Sequence, residues 1–495
     1  MKISRRSPDE RLRKMNVEAG LVRVCAVLLL LAAPAAEAGE PLHLTAVLHV
    51  HSTFSSGIYT LEQLVEKAQE KGIDILMVTD HDRVAMHYGL PPFRNLLKWT
   101  VEHRSVLKQG AASYLGEIAR LNTSQALVRV IPGVQSSPFY HWSGNPLNGS
   151  LTAHNYHKEL LLIGMGRAED YSKLPLLHNE FAARTLPTKL PAFAAFAAAG
   201  AIGFGLFFFS AGRLKWGGLV VGVIGILAAA DQHPFRSSRF DPYHGDQGIA
   251  PFQEVIDHTR SRGGLVFWSH PESNYAVQGV AMGPITLVTG HYAQDLAAAS
   301  GYTGFAALYG DASRITEPGG LWDRILNSYC RGERAEPVWG IAEADFHDEQ
   351  DGSEIDAFQT AVLAADNTAA AVLDALSRGR CYAVQKGRGY RLILDRFEVR
   401  SPQTGGAAAS GEEIFVQGPA VVSVRISASD GRPYPVKLVI VRGGTVLPII
   451  EGTTPLRIDF ADDADWTGRS FYRLEAQGKG DSRLLSNPIF VKRAL

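Results

Sequence analysis

The chain has 495 residues, a formal net charge of −1 and 46% apolar residues, which excludes a polycationic nucleic-acid binder and a disordered acidic or basic tail. Its length predicts two or three domains. Three cysteines are too few for a disulfide framework and show no zinc-finger spacing, so Cys330 and Cys381 are expected as free thiols and any metal as held by His and carboxylates.

The N-terminus carries Lys2, Arg5, Arg6, Arg11, Arg13, Lys14 and Arg23, then an apolar run at 24–35 and Ala36-Glu37-Ala38. This layout predicts a signal peptide over 1–38, or an uncleaved N-terminal anchor, and hence export. Residues 42–51 read as a strand and 52–57 as a polar turn. Thr60 and Gln63 form a capping-box pattern ahead of Leu61, Leu64, Val65 and Ala68 at helical spacing, with Gly72 as the stop. The next buried strand, 73–78, ends in Thr79-Asp80-His81. Strand, helix, strand is a parallel βαβ unit, whose functional residues lie at the carboxyl ends of its strands. Further strands are expected at 126–131, 160–164, 265–268 and 338–342, an alternation that predicts an α/β barrel.

Between them lies a second apolar region, 190–230, interrupted by Ser210-Ala-Gly-Arg213-Leu-Lys215. Its first half approaches the ~20 residues a bilayer requires, and its second is short for the ~30 Å core. We expect a membrane hairpin inserted at 187–233, with Gly218 and Gly222 at a close helix contact; two Ala/Gly-rich helices buried in a soluble domain are the alternative. The positive-inside rule places the basic N-terminus and the Arg213/Lys215 turn in the cytoplasm, and every metal-ligand candidate on the opposite side. From about 386 the pattern turns to period-two alternation, as at Val422, Val424 and Ile426, with turns such as Asp430-Gly431. That predicts a small C-terminal β-sandwich over 386–495, which contains no His and supplies no ligand.

The chemistry is concentrated in His49-Val-His51 and Asp345-Phe-His347, with Asp80-His81 and His270 between them. On an alternating strand residues i and i+2 share a face, so each pair converges. Buried unpaired imidazoles and carboxylates are costly unless something neutralises them. A nitrogen and oxygen donor set suits zinc, manganese or iron. Lone histidines such as His141, His244 and His291 are read as satisfied surface or core residues.

In order along the chain, Leu48-His-Val-His-Ser52, Val78-Thr-Asp-His81, Ile131-Pro-Gly-Val-Gln135, Trp268-Ser-His-Pro271 and Glu343-Ala-Asp-Phe-His347 resemble the PHP (polymerase and histidinol phosphatase) domain metallohydrolase family over roughly 42–385, and Ser486-Asn-Pro-Ile-Phe-Val491 resembles an appendage of some members. The resemblance implies a distorted (β/α)7 barrel over 39–385 with the apolar hairpin inserted, binding one to three divalent metals. By the same resemblance His49, His51 and Asp345 hold a first metal, His81 and His347 a third, and His270 a second. The companion of His270 is left open among His157 and Glu159, which share a parity, and nearby His154. Gln135 stands where the family commonly has a bridging Glu, and the loop acid often found near Ser56-Gly57 is missing. Asp80 or His270 would orient water or protonate the leaving group. The implied activity is hydrolysis of a phosphoester, or a related ester or amide, by metal-activated water, on a small-molecule or envelope-derived substrate and not a nucleic acid. The alternative is a weakly catalytic binding or sensor module at the cell envelope.

Overall fold

The computed structural model describes residues 41–124, 127–179, 182–311, 313–350 and 352–493, so the expected signal peptide or anchor at 1–38 lies outside the described residues. Short runs rich in Val, Ile, Leu and Ala form nine successive strands of one sheet: β1 (Leu42–Val50), β2 (Ile75–Val78), β3 (Arg129–Ser136), β4 (Leu160–Ile163), β5 (Leu265–Trp268), β6 (Gly304–Leu308), β7 (Trp339–Ala342), β8 (Phe358–Ala364) and β9 (Cys381–Gln385). Several are buried on both faces, as parallel strands covered by helices must be. Helix α1 (Leu61–Glu70) connects β1 to β2 and starts as its capping box predicts, with Gln63 N donating to Thr60 Oγ1 at 3.2 Å and Thr60 N to Gln63 Oε1 at 2.9 Å.

The strand path runs β7-β6-β5-β4-β3-β2-β1-β8-β9 and is open. This departs from the expected distorted (β/α)7 barrel in two ways. First, β4 runs antiparallel to both β3 and β5. Second, β8 pairs antiparallel with the first half of β1, from Leu42 with Ala364 to Ala46 with Thr360, and so occupies the edge β7 would need. Only the chain beyond β7 reaches β1, where Ala344 N donates to Leu48 O, Phe346 N to His49 O and His51 N to Phe346 O, at 2.9–3.0 Å. The strand β6 was not anticipated from the sequence.

The β-rich region past residue 386 continues the same sheet, because β9 pairs with Arg483–Ser486. Its second sheet centres on Leu392–Ser401 and Ala420–Ala428, and the two share one apolar cluster containing Val422, Val424, Ile426, Leu438, Ile440 and Leu474. Asn487 ties the region to β7 and β9: its Oδ1 accepts from Gly340 N at 2.7 Å, and its Nδ2 donates to Gly340 O and Cys381 O. Cys330 and Cys381 are free.

Between β4 and β5 the chain forms two consecutive helices, α2 (Leu186–Phe209) and α3 (Gly212–Asp231), each long and apolar enough to cross a membrane. They touch through glycine. A Cβ at Gly203 would come within 2.2 Å of Gly222 N, and one at Gly225 within 2.5 Å of Gly200 N, so only hydrogen fits at this contact. Elsewhere the pair is bare: 11% and 28% of their apolar windows are buried, and Phe208, Phe209 and Trp216 are exposed. Neither is the buried core helix of the soluble alternative.

Candidate metal centre

The ligand candidates gather where β1 and β7 run out. The β1–β2 register slips between Leu48 and Val50, and His49 sits at φ +65°. In consequence Val47 and Val50 face the same apolar cluster, while Leu48 faces another. Simple alternation therefore does not carry His49 and His51 to one face. The bulge turns the chain between them, and their rings meet at 5.1 Å with a 54° tilt. Asp345 is the second left-handed residue, at φ +46°. Such conformations cost on the order of 1–3 kcal/mol for a residue with a side chain and persist only where surroundings impose them. Here each strained residue is fixed by the backbone bonds that join 344–346 to 48–51.

Asp345 is the centre of the cluster. Its Oδ1 lies 3.3 Å from His49 Nε2, 3.6 Å from His51 Nε2 and 3.2 Å from His347 Nε2, and its Oδ2 lies 3.9 Å from His270 Nε2. Two groups with metal-ligand spacing result: His49, His270 and Asp345, and His51, Asp345 and His347. His49 and His51 fall in adjacent groups that share Asp345, and both Nε2 atoms lie within 3.6 Å of the same Asp345 Oδ1. His81 stands beside them, its ring 4.8 Å from that of His51.

Above the cluster opens a cavity of about 300 Å³, lined by His81, Gln135, His157, Glu159, His270, Asp345 and His347 together with Ser273, Tyr275, Thr289 and Tyr292; among the described residues no Lys or Arg lines it. Glu159 is the acid beside His270, with Oε2 3.2 Å from His270 Nε2 and Oε1 3.6 Å from His157 Nδ1. His154 turns away to Ser143 Oγ at 2.6 Å and stacks on His141. Gln135 is bridged to His81 through the backbone, and its Oε1 is buried without a hydrogen-bond partner. The charge between the two groups comes from Asp345.

Behind the ligands a second set of side chains fixes their orientation. Glu343, which the sequence reading passed over, is fully buried, with Oε2 3.2 Å from His49 Nδ1. It also accepts from Ser269 Oγ and from His270 N. A carboxylate accepts only, so His49 Nδ1 carries the proton and Nε2 presents its lone pair to Asp345's side. The signal was available: Glu343 stands two residues before Asp345. Asp80, expected among catalytic groups, does not line the cavity. Its oxygens accept from Ser52 N at 2.8 Å and from Ser52 Oγ and Ser55 Oγ at 2.6 Å, making it a clamp for the loop after β1. Since Ser55 Oγ donates to Asp80, it accepts from His51 Nδ1 at 3.3 Å, and His51 Nε2 is again the free lone pair.

The electrostatics are those of a site with too much negative charge. Burial, then the neighbouring imidazoles, hold His51 well below its ordinary range against the pull of Asp345, and burial pushes His81 down to about 4. Burial also opposes a charged His270, yet Glu159, Glu343 and Asp345 outweigh it and lift that imidazole to about 10. Glu159 and Asp345 stay ionised despite burial because imidazoles surround them. His49 Nε2, His51 Nε2 and His157 Nε2 are buried without hydrogen-bond partners, a cost of roughly 1–3 kcal/mol each. Unpartnered lone pairs around a shared carboxylate fit divalent cations at adjacent positions, with donors that zinc, manganese and iron all accept.

Residues 47–177 match the family model described as PHP domain. No curated protein matches the chain. A two-domain protein from Bacteroides vulgatus, containing a predicted PHP-like metal-dependent phosphoesterase, is 12% identical over 90% of this chain and 95% of its own, with a TM-score of 0.36. A candidate metal-dependent phosphoesterase from Bifidobacterium adolescentis is 15% identical over 62% of this chain and 90% of its own, with a TM-score of 0.27.

Proposed function

From a chain whose residues 47–177 match the PHP domain, we propose a membrane-attached, metal-dependent hydrolase of a phosphoester or related ester or amide bond. The observation that carries this reading is the pair of ligand groups sharing Asp345 at the floor of a cavity. His49 and His270 would hold one cation with Asp345, and His51 and His347 would hold the other. Bound divalent cations polarise the ester oxygen and lower the pKa of water to about 7. Glu343 and Ser55 keep the His49 and His51 lone pairs aimed inward. With no Lys or Arg in the lining, the negative charge of a phosphoester is met by the cations and not by side chains. Proton delivery falls to the cavity-lining His157 and Glu159, since His270 serves as a ligand and Asp80 is sealed behind Ser52 and Ser55.

The exposed apolar faces of α2 and α3 support a hairpin anchored in the bilayer, with Arg213 and Lys215 at its cytoplasmic turn and the cavity on the far side. Export through the 1–38 segment agrees with that orientation. The substrate is then a small or envelope-derived molecule. A second reading, a weakly catalytic binding module, draws on Gln135, a neutral amide in the cavity wall.

The test uses the full-length protein in detergent, assayed for metal content by mass spectrometry and for turnover of phosphomonoesters and phosphodiesters. Wild type is expected to retain metal and hydrolyse one class, and the double variant His49→Ala, His51→Ala to fall to background in both. Undiminished metal and activity in the double variant would overturn the assignment. Tight metal without turnover favours the binding module.

A further inference from the structure

A second cavity, of about 500 Å³, lies at the foot of α2 and α3 and shares no lining residue with the first. Three segments distant in sequence build it: the hairpin of strands Ala85–Gly89 and Lys98–Glu102, residues 177–179, and the loop at 233–242 after α3. Its polar lining is cationic or neutral. Lys98 and Arg236 converge with His87, His178 and His233, and no carboxylate lines the wall. The acids nearby, Asp231 and Asp241, line an adjoining smaller pocket that shares Lys98, Arg236, His87 and His178 with this one. Asp231 is already occupied, accepting from Asn95 N, Asn95 Nδ2 and Gln232 Nε2.

Several of these groups are incompletely hydrogen-bonded. Arg236 donates one Nη2 bond to the backbone oxygen of Asp231, and its Nε is buried without a partner. His87 is 7% exposed, stacks on His178 at 3.7 Å, and has a partner at neither ring nitrogen. Lys98 makes no ion pair among the described residues, and partial burial followed by the charges of Arg83 and Arg236 pushes its ammonium down. The buried Arg236 Nε and His87 ring, both without partners, beside the exposed Lys98 ammonium and around an open volume, are what an oxyanion with several acceptor oxygens satisfies. The remaining wall is apolar, formed by Leu177, Phe235, Phe240 and Pro242. Arg236 and Phe235 follow the last residue of α3, Asp231, by five and four positions, so a hairpin in the bilayer holds them at headgroup depth.

We propose that this cavity binds a phosphate-bearing ligand, and that its position makes a phospholipid headgroup the source. The choice of source rests on the membrane reading of α2 and α3, while the phosphate chemistry rests on the cavity alone. The rings of His178, Tyr140, Tyr156 and His157, spaced 5.9, 5.7 and 5.3 Å apart, stand between this cavity and the metal cavity.

The experiment takes full-length wild type, Lys98→Glu and, as a surface control, Lys437→Glu, with thermal melts confirming that each folds. Inorganic phosphate is titrated calorimetrically, and each protein is reconstituted in nanodiscs of phosphatidylcholine with and without phosphatidylglycerol, lipid retention being read by native mass spectrometry. Retention of phosphatidylglycerol by wild type and the control, about tenfold weaker in Lys98→Glu, supports the headgroup. Phosphate binding in solution with the same variant dependence and no lipid preference supports the cavity but assigns a soluble source. Neither probe distinguishing Lys98→Glu from wild type overturns the proposal. Carbonate extraction of membranes separates the two readings: a protein released by carbonate that still binds phosphate refutes the membrane hairpin and leaves the cavity standing.

Discussion

The two cavities are lined by the same side chain and use it in opposite ways. In the metal cavity imidazoles surround Asp345, Glu159 and Glu343, and His270 is driven up to about 10 by those acids in spite of its burial. In the cavity under the helices they stand beside Lys98 and Arg236, and His87 is driven down to about 4 by burial and then by the charges of Lys98 and Arg83. His270 and His87 are both buried imidazoles, and the charges they face set the direction in which each is shifted.

The largest effect should come from acidifying the second cavity. His87 in the fold titrates near 4, whereas in the unfolded chain it titrates near 6.5, so as pH falls the unfolded chain takes up its proton first. The contribution of a neutral His87 is complete above pH 6.5, is lost through the window from 6.5 to 4, and is constant below. At 1.36 kcal/mol per unit this amounts to roughly 3 kcal/mol. The difference in urea midpoint between wild type and His87→Phe, followed from pH 7 to 4, isolates it from other histidines. The groups facing His87 are His178, Lys98, Arg83 and Arg236, so added phosphate should flatten the slope. A slope unchanged by His87→Phe would remove the contrast between the cavities.

On the metal side, Glu343→Gln keeps the size and removes the charge that fixes the His49 tautomer. Loss of such a partner lowers metal affinity by about 10- to 100-fold, read by competition with a chelator, with little change in melting temperature. Full affinity in Glu343→Gln would show that His49 is oriented by Ser269 and the backbone alone.

These residues also mark how far the sequence can be read. His49, His51, His270, Asp345 and His347 stand out because their types and spacing are rare outside metal sites, and the Thr60 capping box and the Gly218/Gly222 contact because each depends on neighbours in sequence. The bulge at His49 and the left-handed Asp345 are invisible to that logic, since long-range hydrogen bonds between 344–346 and 48–51 impose them. The open strand path follows from β8 competing for the edge of β1, a tertiary choice that local pattern does not encode. The second cavity draws on residues 87–98, 177–179 and 233–242, none of which carries a motif alone.

The smallest effect tests the finest claim, that a serine sets the tautomer of His51. Ser55 Oγ has one proton and gives it to Asp80, which leaves it as acceptor for His51 Nδ1. Ser52 Oγ also donates to Asp80 but touches no ligand. Ser52→Ala and Ser55→Ala therefore each remove one hydrogen bond to the same carboxylate, at about 1–3 kcal/mol of stability apiece. They should part company in metal affinity, which Ser55→Ala lowers about twofold because half of the neutral His51 population then points a proton at the cation, and which Ser52→Ala leaves unchanged. Equal affinities in the two variants would mean that His51 is oriented by its stacking on His347, 4.0 Å away, and that Asp80 holds the loop without reaching the metal.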